Sequence, residues 1–413
     1  MIHEVVVVGG GPSGSTLAGL LSLRGWRVLL LDRARFPRPK PCGECLSPGA
    51  VAALGRLGLL GDVLSLEPAR LRGWRVRTAG SEVEGRFGDE IHGLGAPRAE
   101  LDAALLDAAR RRGVDVAEGM RVTRVTSARA PGARPGVEVA GPAGMRRSFE
   151  PRIVVGADGL RSVVSRSVGA VTRRPRLRKV SLTCRLSWTV PADAFGLLHV
   201  EDGITLGLAP VHRTEGLWNA TVVADAELHG AAVASGPTEF ARRVMDDRLG
   251  LDPDRAIVGG PWASGPFDWP VRRPWAPGVI LVGDAAGYFD PFTGQGIHRA
   301  LRSAELAADA VDRALRSPVD PSPELAEYGR ALEREVGPGR RVQKAIEMVM
   351  ARPWVREPIM AWLGRTGWLD QLVRVTGDVA PVSSLMHPRS WTGAPCATAA
   401  NTRAPAPGEG SSC

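Results

Sequence analysis

The first residues of the chain constrain its fold more than any other stretch. Val5 to Val8 form an unbroken β-branched run, the pattern of a strand that is buried on both faces. This run leads into a glycine-rich turn that fits GxGxxG, with the sequence Gly9-Gly10-Gly11-Pro12-Ser13-Gly14. In that pattern the glycines allow a tight turn, a close backbone approach to a pyrophosphate and close helix–strand contact. The segment therefore predicts an α/β fold whose first turn binds a dinucleotide.

A helix and a second strand complete this unit. Apolar residues at helical spacing run from Leu17 to Leu23, and a second apolar strand, Val28 to Leu31, leads to Asp32. The Asp32 carboxylate can accept hydrogen bonds from an adenosine ribose, while the N-terminus of the helix favours the negative pyrophosphate. Arg33 follows the acid directly and would suit a 2′-phosphate, so the unit by itself leaves FAD and NADP open.

Two later segments repeat the pattern of a short buried strand that ends in a small-residue turn with one acid. The first segment, 153–159, ends in Asp158 and Gly159, and the second, 279–287, contains Gly283 and Asp284. The second is followed by Pro291 and by a turn that opens a helix, with the sequence Gly294-Gln295-Gly296-Ile297. One such turn occurs in many α/β proteins, but three in this order are hard to explain as structural turns alone.

The order GxGxxG, Gly-Ala-Asp-Gly, then Gly-Asp-Ala-Ala with Pro and Gly-x-Gly resembles the FAD-dependent monooxygenase and geranylgeranyl-reductase superfamily of single-component flavoproteins. The resemblance covers residues 1 to about 310. It implies an α/β fold: a glutathione-reductase-type, Rossmann-like FAD domain with an inserted antiparallel-sheet substrate domain and a C-terminal helical segment. It also implies that FAD is the resident dinucleotide. Because no second GxGxxG follows, NAD(P)H would bind only transiently, as the reductant.

The resemblance also implies roles for individual residues. Asp284 would accept hydrogen bonds from the ribityl chain, Arg98 would lie along the cofactor, and Asp158 with Gly159 would close the turn beside it. The helix that begins near Gly296 would point its N–H groups at the flavin pyrimidine and stabilise negative charge there. The predicted cofactor-binding residues are Gly9, Gly11, Pro12, Ser13, Gly14, Asp32, Arg33, Cys42, Gly43, Arg98, Val122, Asp158, Gly159, Gly283, Asp284, Pro291, Gly294, Gln295, Gly296 and Ile297.

The loop Cys42-Gly43-Glu44-Cys45 supplies two of three catalytic candidates. Gly43 allows the close backbone pass that a flat isoalloxazine ring requires. We predict that Glu44, partly desolvated beside the flavin, has a raised pKa and transfers protons; the alternative is that it only hydrogen-bonds backbone N–H groups to hold the loop. Cys42 is the residue that a reductase would use near the ring, and its pairing with Cys45 is open. The third candidate is His298, whose loop neighbours are predicted to touch the flavin.

Composition narrows the class of protein and its partners. The 413 residues carry 53 Lys and Arg against 44 Asp and Glu, a net charge of +9, but no basic run is interleaved with aromatics as nucleic-acid binding requires. The N-terminus does not resemble a signal peptide and no apolar stretch reaches about 18 residues, so a cytoplasmic protein is expected. The single CxxC lacks the second pair of a zinc site, so no metal is predicted. No protein partner is predicted either.

The order of the motifs predicts the domain organisation. Residues 331–391 are rich in Trp, Met and Arg, which suits a helical cap on the core or, alternatively, a lid or interfacial helix that contacts a membrane surface and admits a lipophilic substrate. The predicted segments are 1–172, the first part of the FAD domain with a substrate-domain hairpin near 73–93; 173–271, the substrate domain; 272–330, the last part of the FAD domain; 331–391, the helical cap; and 392–413, a disordered tail.

Two activities agree with the motifs. The first is an NAD(P)H-using monooxygenase that hydroxylates a lipophilic aromatic, such as a polyketide-derived phenolic lipid; the second is a geranylgeranyl-reductase-like flavoprotein that saturates isoprenoid double bonds. The stretches GDAAGYFDPFTGQGI and FPRPKPCGECLSP are similar to the reductase branch, whereas Glu44 stands where isoprenoid reductases more often have Gly or Asp, which favours the monooxygenase. A halogenase is not expected, because the Trp-x-Trp-x-Ile-Pro stretch of that family is missing around Trp188.

Overall fold

The computed structural model describes residues 3–130, 132–175, 178–188, 195–214, 216–250, 252, 256–317 and 320–386. The predicted disordered tail, 392–413, lies outside these residues. The strands are β1 (Val5–Val8), β2 (Val28–Leu31), β3 (Cys45–Leu46), β4 (Ala69–Leu71), β5 (Gly73–Arg77), β6 (Glu82–Arg86), β7 (Gly93–Gly95), β8 (Asp115–Ala117), β9 (Arg121–Thr126), β10 (Gly136–Ala140), β11 (Arg146–Phe149), β12 (Ile153–Gly156), β13 (Lys179–Ser187), β14 (Phe195–Glu201), β15 (Ile204–Pro210), β16 (Leu217–Asp225), β17 (Ile257–Ser264), β18 (Trp275–Ala276) and β19 (Val279–Leu281). The helices are α1 (Pro12–Leu23), α2 (Pro48–Arg56), α3 (Leu60–Leu64), α4 (Arg98–Arg111), α5 (Val163–Ser167), α6 (Ala226–Ser235), α7 (Pro237–Leu249), α8 (Gly296–Arg316), α9 (Ser322–Met350), α10 (Pro353–Thr366) and α11 (Trp368–Thr376).

A six-stranded sheet in the order β18-β19-β12-β1-β2-β8 organises the nucleotide-binding half. Its strands are parallel except for the edge strand β18, and β1 pairs in register with both β2 and β12. The three motif strands β1, β12 and β19 are therefore direct neighbours. Because the carboxyl ends of parallel strands meet at one edge, their three glycine- and acid-bearing turns come together there.

Both faces of this sheet are covered, which explains the unbroken apolar runs of its strands. On one face α1, α8 and α9 bury Leu17, Leu21 and a row of alanines that includes Ala304 and Ala308. On the other face the three-stranded meander β9–β11 packs through side chains such as Val125. Alanine on the buried side of α8 lets that helix approach closely, so its N-terminus is held rigidly near the motif turns.

A seven-stranded sheet in the order β17-β13-β16-β15-β14-β5-β6 forms the second half. Its neighbouring strands are antiparallel apart from the β14–β5 pair, and α6 and α7 cover one of its faces. The hairpin β5–β6 lies far earlier in the chain but completes this sheet through β14. The fold class predicted from the sequence, an α/β FAD-type domain combined with a largely antiparallel sheet, is confirmed.

The C-terminal helices pack against the hairpin. Side chains of α10 and α11, among them Met360 and Leu369, share one apolar cluster with Val76 and Val83 of the hairpin. The predicted boundary between residues 330 and 331 falls inside α9, because the helical pattern starts earlier than the Trp- and Met-rich stretch on which that boundary rested. Among the described helices, none is both long and apolar enough to cross a membrane.

Candidate active site

A cavity of about 740 Å³ is lined by residues of both large sheets and is hereafter the central cavity. Its volume is typical of a ligand site. The predicted site residues that line it are Gly9, Gly11, Pro12, Ser13, Asp32, Arg33, Cys42, Gly43, Glu44, Arg98, Val122, Asp158, Gly159, Asp284, Pro291, Gly294, Gly296 and Ile297. Gly14, Gly283, Gln295 and His298 are not among the lining residues. Residues more than 280 positions apart in the chain thus meet at one site.

The first turn shows why its glycines are required. A Cβ atom at Gly14 would lie 1.9 Å from the carbonyl oxygen of Gly9, so no side chain fits between helix and turn. Gly9 itself has φ +105°, and a Cβ there would lie 2.5 Å from the oxygen of Ala157. Gly11 differs, because its Cβ would meet nothing nearer than the Arg38 guanidinium at 3.9 Å. Gly14 and Gly9 therefore shape the turn, while Gly11 leaves the cavity open for a close ligand.

Asp32 is held in place by the backbone around it. One carboxylate oxygen accepts from the Gly10 N–H and the other from the Ala34 N–H, both at 2.8 Å. The side chain is 6% exposed and stands at the end of β2, where it lines the cavity. A carboxylate fixed in this way keeps lone pairs for the hydroxyl donors of a ribose.

The Asp284 carboxylate differs from that of Asp32 in its hydrogen bonding. Among the described residues, no donor lies within hydrogen-bonding distance of its carboxylate. Burial raises the pKa of Asp284, and the nearby cations Lys40 and Arg98 oppose that rise. A half-buried carboxylate without a donor is costly unless a ligand supplies one, and the ribityl hydroxyls of FAD are such donors.

The open glycines and the charges agree with FAD as the occupant. A Cβ at Gly43, Gly294 or Gly296 would meet nothing within 4 Å, so flat or bulky groups can approach the backbone there. Gly296 begins α8, whose first N–H groups are free to face an anionic ring edge. Together with Asp32 and Asp284, these residues would hold FAD, which supplies hydride-transfer chemistry when bound.

Lys40 lines the cavity and was not predicted from the sequence. Burial and the neighbouring Arg98 lower the pKa of Lys40, while Asp284 acts in the opposite direction. The chain has only three lysines, and two of them, Lys40 and Lys179, line this cavity. Because almost all basic residues of the chain are arginines, the scarcity of lysine is the sequence signal that could have identified Lys40 and Lys179 as site residues.

Arg98 and Asp158 are fixed by short-range contacts. The Arg98 guanidinium forms a bidentate ion pair with the fully buried Asp102, at 2.8 Å and 2.9 Å, and Arg38 approaches the same carboxylate. Asp158 accepts from the Val163 N–H at 2.6 Å and from the hydroxyl of Ser162, the N-cap residue of the short helix α5, so it fixes the start of that helix. Burial raises the pKa of Asp158, although these hydrogen bonds oppose the rise. The side chains of Arg98 and Asp158, which both line the cavity, are therefore held in fixed positions.

Both carboxylate oxygens of Glu44 have partners in the protein. One carboxylate oxygen accepts from the Arg98 N–H at 2.7 Å; the other accepts from Asn219 Nδ2 at 3.1 Å and pairs with Arg185 Nη2 at 2.5 Å. Its side chain is only 5% exposed. A carboxylate held by three donors anchors the loop to the second sheet, so the geometry favours the loop-holding interpretation over the predicted proton transfer.

The two thiols of the loop differ in their surroundings. Both are among the residues that line the cavity, but Cys42 is only half-buried, and its Sγ accepts from the Glu44 N–H at 3.3 Å. Cys45 is buried, and its Sγ donates to the Gly43 carbonyl at 3.1 Å. Burial strongly raises the pKa of Cys45. Both cysteines are free, so the pairing that the sequence left open is not formed in this structure.

A thiol-labelling experiment tests this difference. With the folded apoprotein we expect a maleimide to modify Cys42 at least roughly tenfold faster than Cys45, because only an accessible thiolate reacts. We also expect saturating FAD to slow labelling of Cys42, which lies on the cavity wall. Peptide mass spectrometry after timed quenching measures both rates, with the buried Cys184 as internal control. Equal labelling of Cys42 and Cys45 would contradict the structure of the loop.

His298 lies behind the site. Its Nδ1 is 3.0 Å from Asp378 Oδ2, an oxygen that also accepts from the Ser47 hydroxyl at 2.9 Å. Gln295 Nε2 donates to the other oxygen of Asp378 at 2.6 Å. His298 and Gln295 therefore connect the start of α8 to the turn after α11, and the predicted base role of His298 has no geometric support. Sequence reasoning missed Asp378 because it carries no motif and lies about 80 residues away.

Beside the seven-stranded sheet the cavity has an apolar end, lined by Trp74, Leu198, Leu208, Ala209, Phe267 and Phe292. The polar side chains that the sheet adds to the cavity lining are Lys179, Ser181, Thr205, Asn219, Thr221 and Ser264, and Tyr288 adds a phenol. Burial raises the pKa of Tyr288 well above its usual value, and the carboxylates of Asp284 and Asp290 add to the rise, so the phenol stays protonated. This end suits an apolar molecule placed against the predicted flavin position.

The adjacent motif turns, the open glycines and the carboxylate without a donor define a dinucleotide-binding oxidoreductase of the FAD-dependent class. Residues 3–216 match the family described as the FAD binding domain, and the chain belongs to this family.

Two of the relatives in sequence are named as reductases. A menaquinone reductase of Mycobacterium tuberculosis is 31% identical over 341 residues, which cover 79% of this chain and 81% of that protein. Digeranylgeranylglycerophospholipid reductase 1 of Methanopyrus kandleri is 27% identical over 401 residues, which cover 92% of this chain and 99% of that protein.

Relatives in structure are more diverse. The myxobacterial halogenase CndH is 25% identical, with a TM-score of 0.72 over 92% of this chain and 97% of that one. The p-nitrophenol 4-monooxygenase PnpA of Pseudomonas putida is 21% identical, with a TM-score of 0.75 over 95% and 98%. The likeness to PnpA shows a shared fold and carries no conclusion about the reaction.

Proposed function

We propose that this protein is an FAD-dependent reductase that adds two hydrogen atoms across a carbon–carbon double bond of a prenyl lipid. The observation that carries the proposal is the apolar end of the central cavity, which adjoins the predicted flavin position with the Cys42 thiol on its wall. Two sequence relatives support it, because one is named as a reductase of menaquinone and the other as a reductase of digeranylgeranylglycerophospholipid.

The reaction needs a hydride for one carbon and a proton for the other. NAD(P)H is the proposed electron source, so one NAD(P)H and one proton are consumed for each double bond that is saturated. The apolar side chains bind the lipid and exclude water, and Cys42 Sγ is placed to supply the proton and recover it from solvent. Tyr288 also lines the cavity, and burial keeps its phenol protonated.

A monooxygenase acting on a lipophilic aromatic, such as a phenolic lipid, is the second candidate. The Thr221 hydroxyl lines the apolar end; it donates to Asn219 Oδ1 at 2.9 Å and keeps a lone pair that can accept from a phenol hydroxyl. The sequence argument for this activity rested on Glu44. Its carboxylate is hydrogen-bonded to Asn219 and to the Arg98 N–H and forms an ion pair with Arg185. The reductase is therefore the better supported proposal. A halogenase is not proposed, because the expected Trp-x-Trp-x-Ile-Pro stretch is missing.

The test uses the FAD-loaded protein without oxygen. With NADH or NADPH and a geranylgeranyl phospholipid or menaquinone, we expect products heavier by two hydrogen atoms for each double bond saturated, detected by mass spectrometry. Cys42→Ala should keep FAD bound but lower turnover by roughly a hundredfold, the typical contribution of a positioned proton donor. Cys184→Ala, a buried cysteine of the second sheet, is the matched control. Oxygen uptake that rises with a phenolic lipid, together with no anaerobic reduction, would establish the second candidate instead.

A further inference from the structure

The end of α9 and the outer side of α10 expose large apolar side chains. Trp354 is 78% exposed, Met348 57% and Trp362 39%. Met348 lies on the last turns of α9, while Trp354 and Trp362 lie eight positions apart, on one face of α10. We call residues 341–365 the α9–α10 surface. Large apolar groups that cluster at the surface of a folded protein mark an interaction site.

The unpaired charges on this surface are positive. Arg341, Lys344, Arg352 and Arg365 are exposed, and no described acid lies within ion-pair distance of any of them. The two acids of the segment are engaged elsewhere. Glu347 pairs with Lys179 at 2.5 Å, while Glu357 accepts from the Thr78 hydroxyl and from Arg356. The surface therefore presents apolar side chains among uncompensated positive charges, which complements anionic headgroups over an apolar interior.

The same segment reaches the wall of the central cavity. Glu347, the neighbour of Met348, contacts Lys179, which lines the cavity and also lies 3.4 Å from Asp290. Lys344 Nζ lies 5.8 Å from the centre of the Phe289 ring. Phe289 is the sequence neighbour of Tyr288 and Asp290, which both line the cavity. The last turns of α9 are thus in contact with both the exposed patch and the cavity lining.

We propose that the α9–α10 surface docks onto an anionic lipid bilayer and that the lipid substrate passes from the bilayer into the central cavity beside the end of α9. The identity of the lipid rests on the proposed function, whereas the docking rests only on the exposed side chains and their charge. The cap predicted from the sequence is then also the membrane contact.

The first experiment measures binding without activity. The full-length FAD-loaded protein is sedimented with phosphatidylcholine vesicles that contain or lack phosphatidylglycerol. We expect binding only with the anionic lipid, about tenfold weaker binding for Trp354→Ala, and several-fold weaker binding at high salt. Leu228→Ala removes another highly exposed apolar side chain, 69% exposed on α6, and is expected to change nothing.

Several outcomes would overturn the proposal. One is equal binding of the parent and Trp354→Ala; another is binding that does not depend on phosphatidylglycerol. A third is light scattering that shows a dimer which Trp354→Ala dissociates, since the surface would then bind a second copy of the chain.

The second experiment separates docking from the proposed reaction. Trp354→Ala should act at the parent rate on substrate in detergent micelles but several-fold more slowly on substrate embedded in anionic vesicles. If vesicle binding follows the prediction while no prenyl lipid is reduced in either form, the docking proposal stands and the proposed function fails. If micellar substrate is reduced but vesicle binding is absent, the proposed function stands and the docking proposal fails.

Discussion

Replacement of Gly11 by valine is expected to give a folded protein that binds FAD about a hundredfold more weakly or not at all. A Cβ at this position meets no protein atom nearer than 3.9 Å, and φ is −77°, so the chain itself tolerates a side chain. The added branch would instead enter the cavity where the backbone must approach the pyrophosphate. The loss removes charge-assisted hydrogen bonds from the first N–H groups of α1 to that anion.

Two measurements are needed for this variant. Flavin fluorescence titration of the apoprotein gives the dissociation constant, and thermal unfolding without FAD shows whether the fold is intact. Gly61→Val is the matched control, because Gly61 also has open space around its Cβ but lies on α3, outside the cavity lining. If Gly11→Val bound FAD as tightly as the control, the pyrophosphate would not lie against this turn.

Glu44→Gln is expected to lower the free energy of unfolding by about 3 kcal/mol, as removal of one partner from a buried ion pair does. The Arg185 guanidinium would lose its carboxylate, and Arg185 Nη1 already lacks a hydrogen-bond partner. Urea unfolding of the FAD-loaded protein measures the change. Combining Glu44→Gln with Arg185→Met should recover part of the loss, because the uncompensated charge is then gone.

The control for this prediction is an exposed pair. Glu227→Gln removes the partner of Arg178 at a site where both side chains are 73% exposed, and we expect a change below about 0.5 kcal/mol. A Glu44→Gln protein with parental stability but an altered pH profile of turnover would establish the acid–base role predicted from the sequence and refute the anchoring role.

The parallel sheet and its three turns were predictable because their signals are local. A run such as Val5 to Val8, the glycine spacing after it and Asp32 at the end of the next strand all follow from contiguous residues. Strand period and turn chemistry act over a few positions, so one sequence is sufficient to identify them. The same holds for the turns at Asp158 and Asp284, which the strand order then places side by side.

The residues that hold the site together were decided by the tertiary structure. Glu44 contacts Arg185 and Asn219, which lie more than 140 positions later, and His298 contacts Asp378 in the turn after α11. Nothing in the local sequence around any of them indicates its partner, since such pairs form only after strands and helices from distant segments have packed. The amino-acid sequence therefore determined which dinucleotide fold the chain adopts and where its turns lie. Whether a carboxylate in that fold anchors a loop or is left without a donor was settled by long-range packing, because only packing brings the donors within reach.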